Sequence, residues 1–129
     1  MALILVVDDQ EEVRATLRPW IERAGHECIE AADGRKGIAA LDRERPDIVV
    51  TDVLMPENDG LDVIRHVRRT RPETKVIAIS GGGQIRYDDA LRWAGGLGAD
   101  RVLHKPFRPA ALLDLISELL GAKDGPMAG

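Results

Sequence analysis

The stretch Leu3-Ile4-Leu5-Val6-Val7-Asp8-Asp9 decides the fold. Its five apolar residues run without a polar break, as in a strand buried on both faces, and two carboxylates come directly after them. Further apolar, β-rich runs recur at regular spacing: Cys28–Ala31 (the weakest), Ile48–Thr51, Val76–Ile79 and Arg101–Leu103. Four of the five lead into groups that carry chemistry, namely Asp8-Asp9, Asp52, Ser80 and Lys105-Pro106. In an open parallel sheet, residues at the carboxyl ends of the strands converge in one crevice.

The segments between these runs have helical periodicity. Val13, Leu17, Ile21 and Ala24 form one apolar stripe, closed by Gly25. Shorter stripes occur at Ile38 and Leu41, at Leu61, Ile64 and Val67, and at Leu91, Ala94 and Leu97 before Gly98. A last helix begins near Pro109, carries Leu112, Leu113, Leu115, Ile116, Leu119 and Leu120, and is expected to stop at Gly121. Five strand–helix units with right-handed crossovers make an α/β domain of (βα)5 type, a doubly wound five-stranded parallel sheet. Residues 1–121 form this domain, and 122–129 read as a short polar tail with no output domain.

A chain of 129 residues is one domain, long enough to bury a core without staples. The net charge of −4 offers no basic footprint for nucleic acid. The single cysteine, Cys28, has no internal partner and is expected to be a small buried residue. His26, His66 and His104 share no metal-ligand spacing. The apolar residues after Met1 are too few for a signal peptide, and no stretch reaches membrane-spanning length, so a cytoplasmic location is expected.

An Asp pair at a strand end is by itself an ordinary helix cap, a serine a turn residue, and a lysine a surface ammonium. Together they say something else. Asp8, Asp9 and Asp52 gathered at one sheet edge repel one another, and a hard cation with oxygen ligands relieves that repulsion. Mg²⁺ is the best match, since it takes one or two carboxylates, keeps waters and bridges to phosphate oxygens. A carboxylate can also attack phosphorus to form an acyl phosphate, with Lys105 and Ser80 supplying positive charge and a donor to the phosphoryl oxygens.

Four motifs in this order resemble the receiver domain of two-component response regulators, over residues 2 to 120. They are Leu5-Val6-Val7-Asp8-Asp9, Thr51-Asp52-Val53-Leu54-Met55-Pro56 with Asp59-Gly60, Ile79-Ser80-Gly81, and Lys105-Pro106-Phe107. The resemblance implies a flavodoxin-like receiver fold with strand order 2-1-3-4-5. It implies that Asp52 accepts a phosphoryl group from a histidine kinase or histidine phosphotransfer protein. Asp9, Asp52 and the backbone carbonyl of Leu54 would hold Mg²⁺, and Asp8 one of the metal's waters. Ser80 would contact the phosphate and Lys105 pair with it, Pro106 would be cis-bonded, and Gly60 would turn the chain into the third helix. Such a chain, a monomer or weak dimer, signals by phosphorylation-dependent protein interaction through its fourth helix, fifth strand and fifth helix. It is a phosphoacceptor with slow self-dephosphorylation and not an enzyme of multiple turnover.

Some positions depart from the pattern. Val102 stands where the family commonly has a swinging aromatic, and the Ser80–Lys105 segment is longer, with Gly81-Gly82-Gly83 in it. Leu54 and Gly82 offer no side chain to orient an attacking water. Trp20 and Trp93 read as fillers at the core edge. Two other readings stand beside this one. A receiver cut from a longer regulator or hybrid kinase would have the same motifs. A Mg²⁺-dependent aspartyl phosphatase would put its nucleophile on the first strand as Asp-x-Asp, whereas this strand ends Asp8-Asp9-Gln10.

Overall fold

The computed structural model describes residues 1–53, 59–80, 96 and 98–124. Five strands, β1 (Leu3–Val7), β2 (Glu27–Ala31), β3 (Ile48–Asp52), β4 (Lys75–Ser80) and β5 (Arg101–His104), form one sheet in the order β2-β1-β3-β4-β5. Every neighbouring pair is parallel, with Val7 opposite both Ala31 and Thr51, Asp52 opposite Ile79, and Ser80 opposite His104. The described helices are α1 (Glu11–Arg23), α2 (Gly34–Glu44), α3 (Asp59–Thr70) and α4 (Pro109–Asp124). The expected helix around Leu91, Ala94 and Leu97 lies outside the described residues.

Successive strand residues feed opposite faces, as the pleat demands. Ile4, Val6, Ile48, Val50, Ile77 and Ile79 point to the face covered by α1 and α4, where Leu17, Ile21, Leu112, Ile116 and Leu119 complete one core. Leu5, Val7, Val49, Val76 and Ala78 point to the other, closed by Leu41 from α2 and by Val63, Ile64 and Val67 from α3. The unbroken apolar runs therefore mark strands covered on both sides, the doubly wound arrangement. Cys28 is 6% exposed within the first of these cores, as expected, and burial pushes its thiol up to about 11.

Local chemistry sets the helix ends. Gly25 has φ 92° just past α1, the left-handed C-terminal cap that an L side chain rarely adopts. The Asp33 side chain accepts a hydrogen bond from the Lys36 amide at 2.8 Å and caps α2. Two expectations change. Ala24 is the C-cap of α1 and is exposed, so the buried stripe ends at Ile21. Helix α4 continues past Gly121 to Asp124, because nothing in the fold forces a turn there and glycine costs a helix only about 1 kcal/mol. Pro19 lies inside α1; the carbonyl it cannot serve is that of Ala15, an exposed residue whose oxygen water can satisfy.

Candidate functional site

Strands β1 and β3 are adjacent, so Asp8, one residue beyond β1, and Asp52, the last of β3, meet at the same edge of the sheet. Carboxylate oxygens of Asp8, Asp9 and Asp52 lie within 4.8 Å of one another. Asp8 and Asp52 are buried, at 1% and 4% exposure, and Asp9 faces solvent. Lys105, just past β5, reaches across the sheet end: its Nζ is 3.0 Å from Asp52 Oδ2, 3.4 Å from Asp8 Oδ2 and 3.5 Å from Gln10 Oε1.

Asp8 is held on every polar atom. Its amide donates to the Ala31 carbonyl at 3.1 Å, and its Oδ1 accepts the Gln10 amide at 2.9 Å. Arg14 Nη1 donates to its carbonyl at 2.6 Å. Burial pushes the Asp8 carboxyl up and Asp52 adds to this, against the opposing pull of the Gln10 amide and Lys105. Burial also draws the Lys105 ammonium down, but Asp52 and Asp8 outweigh it and leave the pKa raised. Lys105 is therefore charged and fixed between two carboxylates.

Ser80 ends β4, fully buried, and its Oγ has no hydrogen-bond partner among the described residues. Its carbonyl accepts the Lys105 amide at 2.9 Å, which ties the serine strand to the lysine turn. The Lys105–Pro106 bond is cis. Gly60 is the second residue of α3, and the chain that leads into this helix lies outside the described residues. A Cβ there would collide with the Asp52 carbonyl, so glycine lets the helix approach the end of β3. Val102 is opposite Ala78 and packs, half-buried, on the α2–α3 core.

The fold thus brings Asp8, Asp9, Asp52 and Lys105 together and sets Ser80 on the next strand end, its Oγ making no hydrogen bond among the described residues. Leu54, Gly81, Gly82, Gly83 and Trp93 lie outside those residues. Trp20 packs half-buried at the core edge and meets Phe107 edge-on, centroids 6.1 Å apart. Gln10 and Arg14 were not legible as site residues. Their signal was positional only: the N-cap and the first turn of the helix that comes after an Asp pair.

The profile of the response regulator receiver domain family matches residues 4–117, and the chain belongs to this family. It is 32% identical over 118 residues to the chemotaxis protein CheY of Thermotoga maritima, covering 90% of this chain and 95% of that one. It is 34% identical over 106 residues to the alkaline phosphatase synthesis transcriptional regulatory protein PhoP of Bacillus subtilis, covering 82% and 43%. The chain thus spans under half the length of that regulator. A CheY-like receiver domain protein from Methanospirillum hungatei superposes with TM-score 0.87 at 26% identity, over 96% of this chain and 97% of that one. The superposition agrees with the five-stranded fold found here. No helix among the described residues is long and apolar enough to cross a membrane. An all-oxygen donor set of three carboxylates fits Mg²⁺, the ion receiver domains typically bind in such a pocket.

Proposed function

We propose that this chain is a phosphorylation-controlled interaction module that takes a phosphoryl group onto Asp52 from the phosphohistidine of a histidine kinase or phosphotransfer protein. The observation that carries the reading is Lys105 Nζ at 3.0 Å from Asp52 Oδ2 within a cluster of three carboxylates. A carboxylate oxygen of Asp52 attacks phosphorus, the P–N bond breaks, and the imidazole nitrogen keeps the electron pair and takes up a proton. Lys105 is close enough to follow the charge from the carboxylate to the new phosphoryl oxygens. The orphan Ser80 hydroxyl gains in the phosphoryl group an acceptor that it lacks among the described residues. Asp9, Asp52 and the Leu54 carbonyl would hold Mg²⁺, with Asp8 on one of its waters. The ion would neutralise charge on the phosphoryl oxygens.

Output is through the face that includes β5 and α4. Residues 1–121 act as the receiver, in the cytoplasm. Support for a stand-alone module comes from the match to 95% of the Thermotoga chemotaxis protein. The receiver of a longer regulator is the second reading, favoured by the match to 43% of PhoP. Phosphotransfer from a panel of histidine kinases to wild type and Asp52→Asn tests the assignment. Hydroxylamine-labile label is expected on the wild type alone, and undiminished label of that kind on Asp52→Asn refutes it. A generic phosphomonoester should show no multiple turnover; sustained release of phosphate would favour an aspartyl phosphatase.

A further inference from the structure

We propose that Arg14 is a positioning residue of the acidic cluster: it fixes the peptide that joins Asp8 to Asp9 and so tunes affinity for a divalent cation. The inference rests on the metal reading above. The carbonyl of Asp8 belongs to the peptide linking the two carboxylate-bearing residues, so its orientation sets where both side chains begin. Arg14 Nη1 grips that carbonyl at 2.6 Å from the first turn of α1. On the far side of the same residue, the Asp8 amide is held by Ala31 of β2 at 3.1 Å. The joint between strand and helix is thereby clamped from two elements.

The guanidinium is itself locked. Arg14 Nε donates to Glu30 Oε1 at 3.2 Å, and Glu30 Oε2 accepts from Arg18 Nε at 2.5 Å. Arg18 Nη1 in turn reaches Glu22 at 3.0 Å. The Arg14 side chain is only 15% exposed. Two arginines and two glutamates alternate along this ladder, so it is formally neutral. That matters for the sign. A lone cation beside the cluster would repel Mg²⁺, whereas a charge-balanced one supplies orientation with little net field. Groups that orient metal ligands from behind are worth about 10–100-fold in metal affinity when removed. Arg14 grips one peptide and none of the carboxylates, so the lower end, about tenfold, is expected.

Mg²⁺ titration calorimetry at pH 7.5 tests the idea, with each variant checked for folding by circular dichroism in EDTA. The double variant Arg14→Met with Glu30→Gln keeps the net charge, since +1 and −1 become two zeros, and removes the grip. Its Kd for Mg²⁺ should rise about tenfold at unchanged stoichiometry. Arg14→Lys, which keeps a cationic donor, should recover most of that loss, a rescue that a merely structural role would not produce. A Kd within twofold of wild type in the double variant, while Asp9→Ala abolishes binding, overturns the Arg14 proposal alone. If Asp9→Ala binds like wild type, or wild type does not bind, the metal reading fails and the proposal with it. Should the double variant not fold, Arg14→Gln with Glu30→Gln, which shortens the arm at unchanged net charge, carries the same comparison.

Discussion

Lys105→Met should destabilise the metal-free protein and be largely forgiven by Mg²⁺. Lys105 Nζ is 3.0 Å from Asp52 and 3.4 Å from Asp8, and each contact is worth about 5 kcal/mol gross at an effective dielectric near 20. Desolvation of the ammonium cancels much of that, being the largest influence on its pKa and directed downward. Removing one partner of a fully buried pair costs about 3–5 kcal/mol. With its side chain 20% exposed, Lys105 should cost less, about 2–3 kcal/mol. The pH dependence has a definite sign. The folded pKa of Asp8 is already raised above 3.8, so its ionisation removes stability as pH rises through the folded value. Without Lys105 that pKa climbs further, and the loss should be larger at pH 8 than at pH 5. Saturating Mg²⁺ supplies the missing positive charge and, at a hundred times its Kd, adds about 2.7 kcal/mol to any form that binds it. The variant has lost a charge that repels the cation, so it should bind Mg²⁺ more tightly than wild type, and that difference in affinity is what offsets its loss at a given Mg²⁺ concentration. Urea unfolding of both proteins in EDTA and in MgCl₂ measures this. An equal loss in the two conditions would refute the claim that Lys105 acts as the cluster's internal counter-ion.

Gly60→Ala should destabilise by about 1–3 kcal/mol despite alanine's better helix propensity, since the new methyl strikes the Asp52 carbonyl; a higher midpoint on thermal unfolding would contradict this. The Cys28 thiol, at about 11 against an ordinary 9.0, carries roughly a hundredfold less thiolate than a free thiol. Labelling by an aromatic disulfide at pH 8 should therefore be slow until urea is added, and the stability that the neutral thiol contributes below pH 9 should fade as pH climbs toward 11. Polar side chains introduced together at Leu54 and Gly82 should speed loss of the aspartyl phosphate, because wild type has no polar side chain at either position to hold the attacking water. An unchanged or slower decay, monitored by hydroxylamine-labile label, would count against that account.

The fold was legible because a doubly wound sheet is written in unbroken apolar runs, and three of the five strands, β1, β3 and β4, have one. Strand β2 reads more weakly, with Glu27, Ile29 and Glu30 only partly covered or exposed at the sheet edge. The candidate site residues were legible for a related reason: each sits at or just past a strand's carboxyl end, and parallel strands bring those ends to one crevice. The linear pattern could not carry the supporting contacts. Arg14 acts on Asp8 through a backbone carbonyl, an acceptor every residue has, so residue type reveals nothing of the contact. Gly60 was legible as a glycine and not as the one position where α3 needs the space of a missing methyl over β3. The stop at Gly121 failed because a glycine ends a helix only where packing or a left-handed turn favours stopping, as Gly25 does after α1.

The charges of the site argue for an order of events under the proposed function. Three carboxylates and one ammonium leave a formal −2 on the cluster, with Lys105 shared between Asp8 and Asp52. Phosphorylation of Asp52 exchanges one carboxylate charge for about two phosphoryl charges, so without a cation the deficit deepens. A divalent ion bound first brings the cluster to neutrality and lets Lys105 leave the carboxylates for the incoming oxygens. The buried Ser80 hydroxyl then has an acceptor within its own strand layer. Val102 is already packed half-buried beside Ala78, so it offers no ring to swing into space vacated by the serine. The movement must pass to the chain beyond Ser80. Hydrogen exchange with and without a phosphate mimic should therefore gain protection over residues 80–97 and leave Val102 nearly unchanged. Protection confined to β5 would mean that Val102 carries the switch after all.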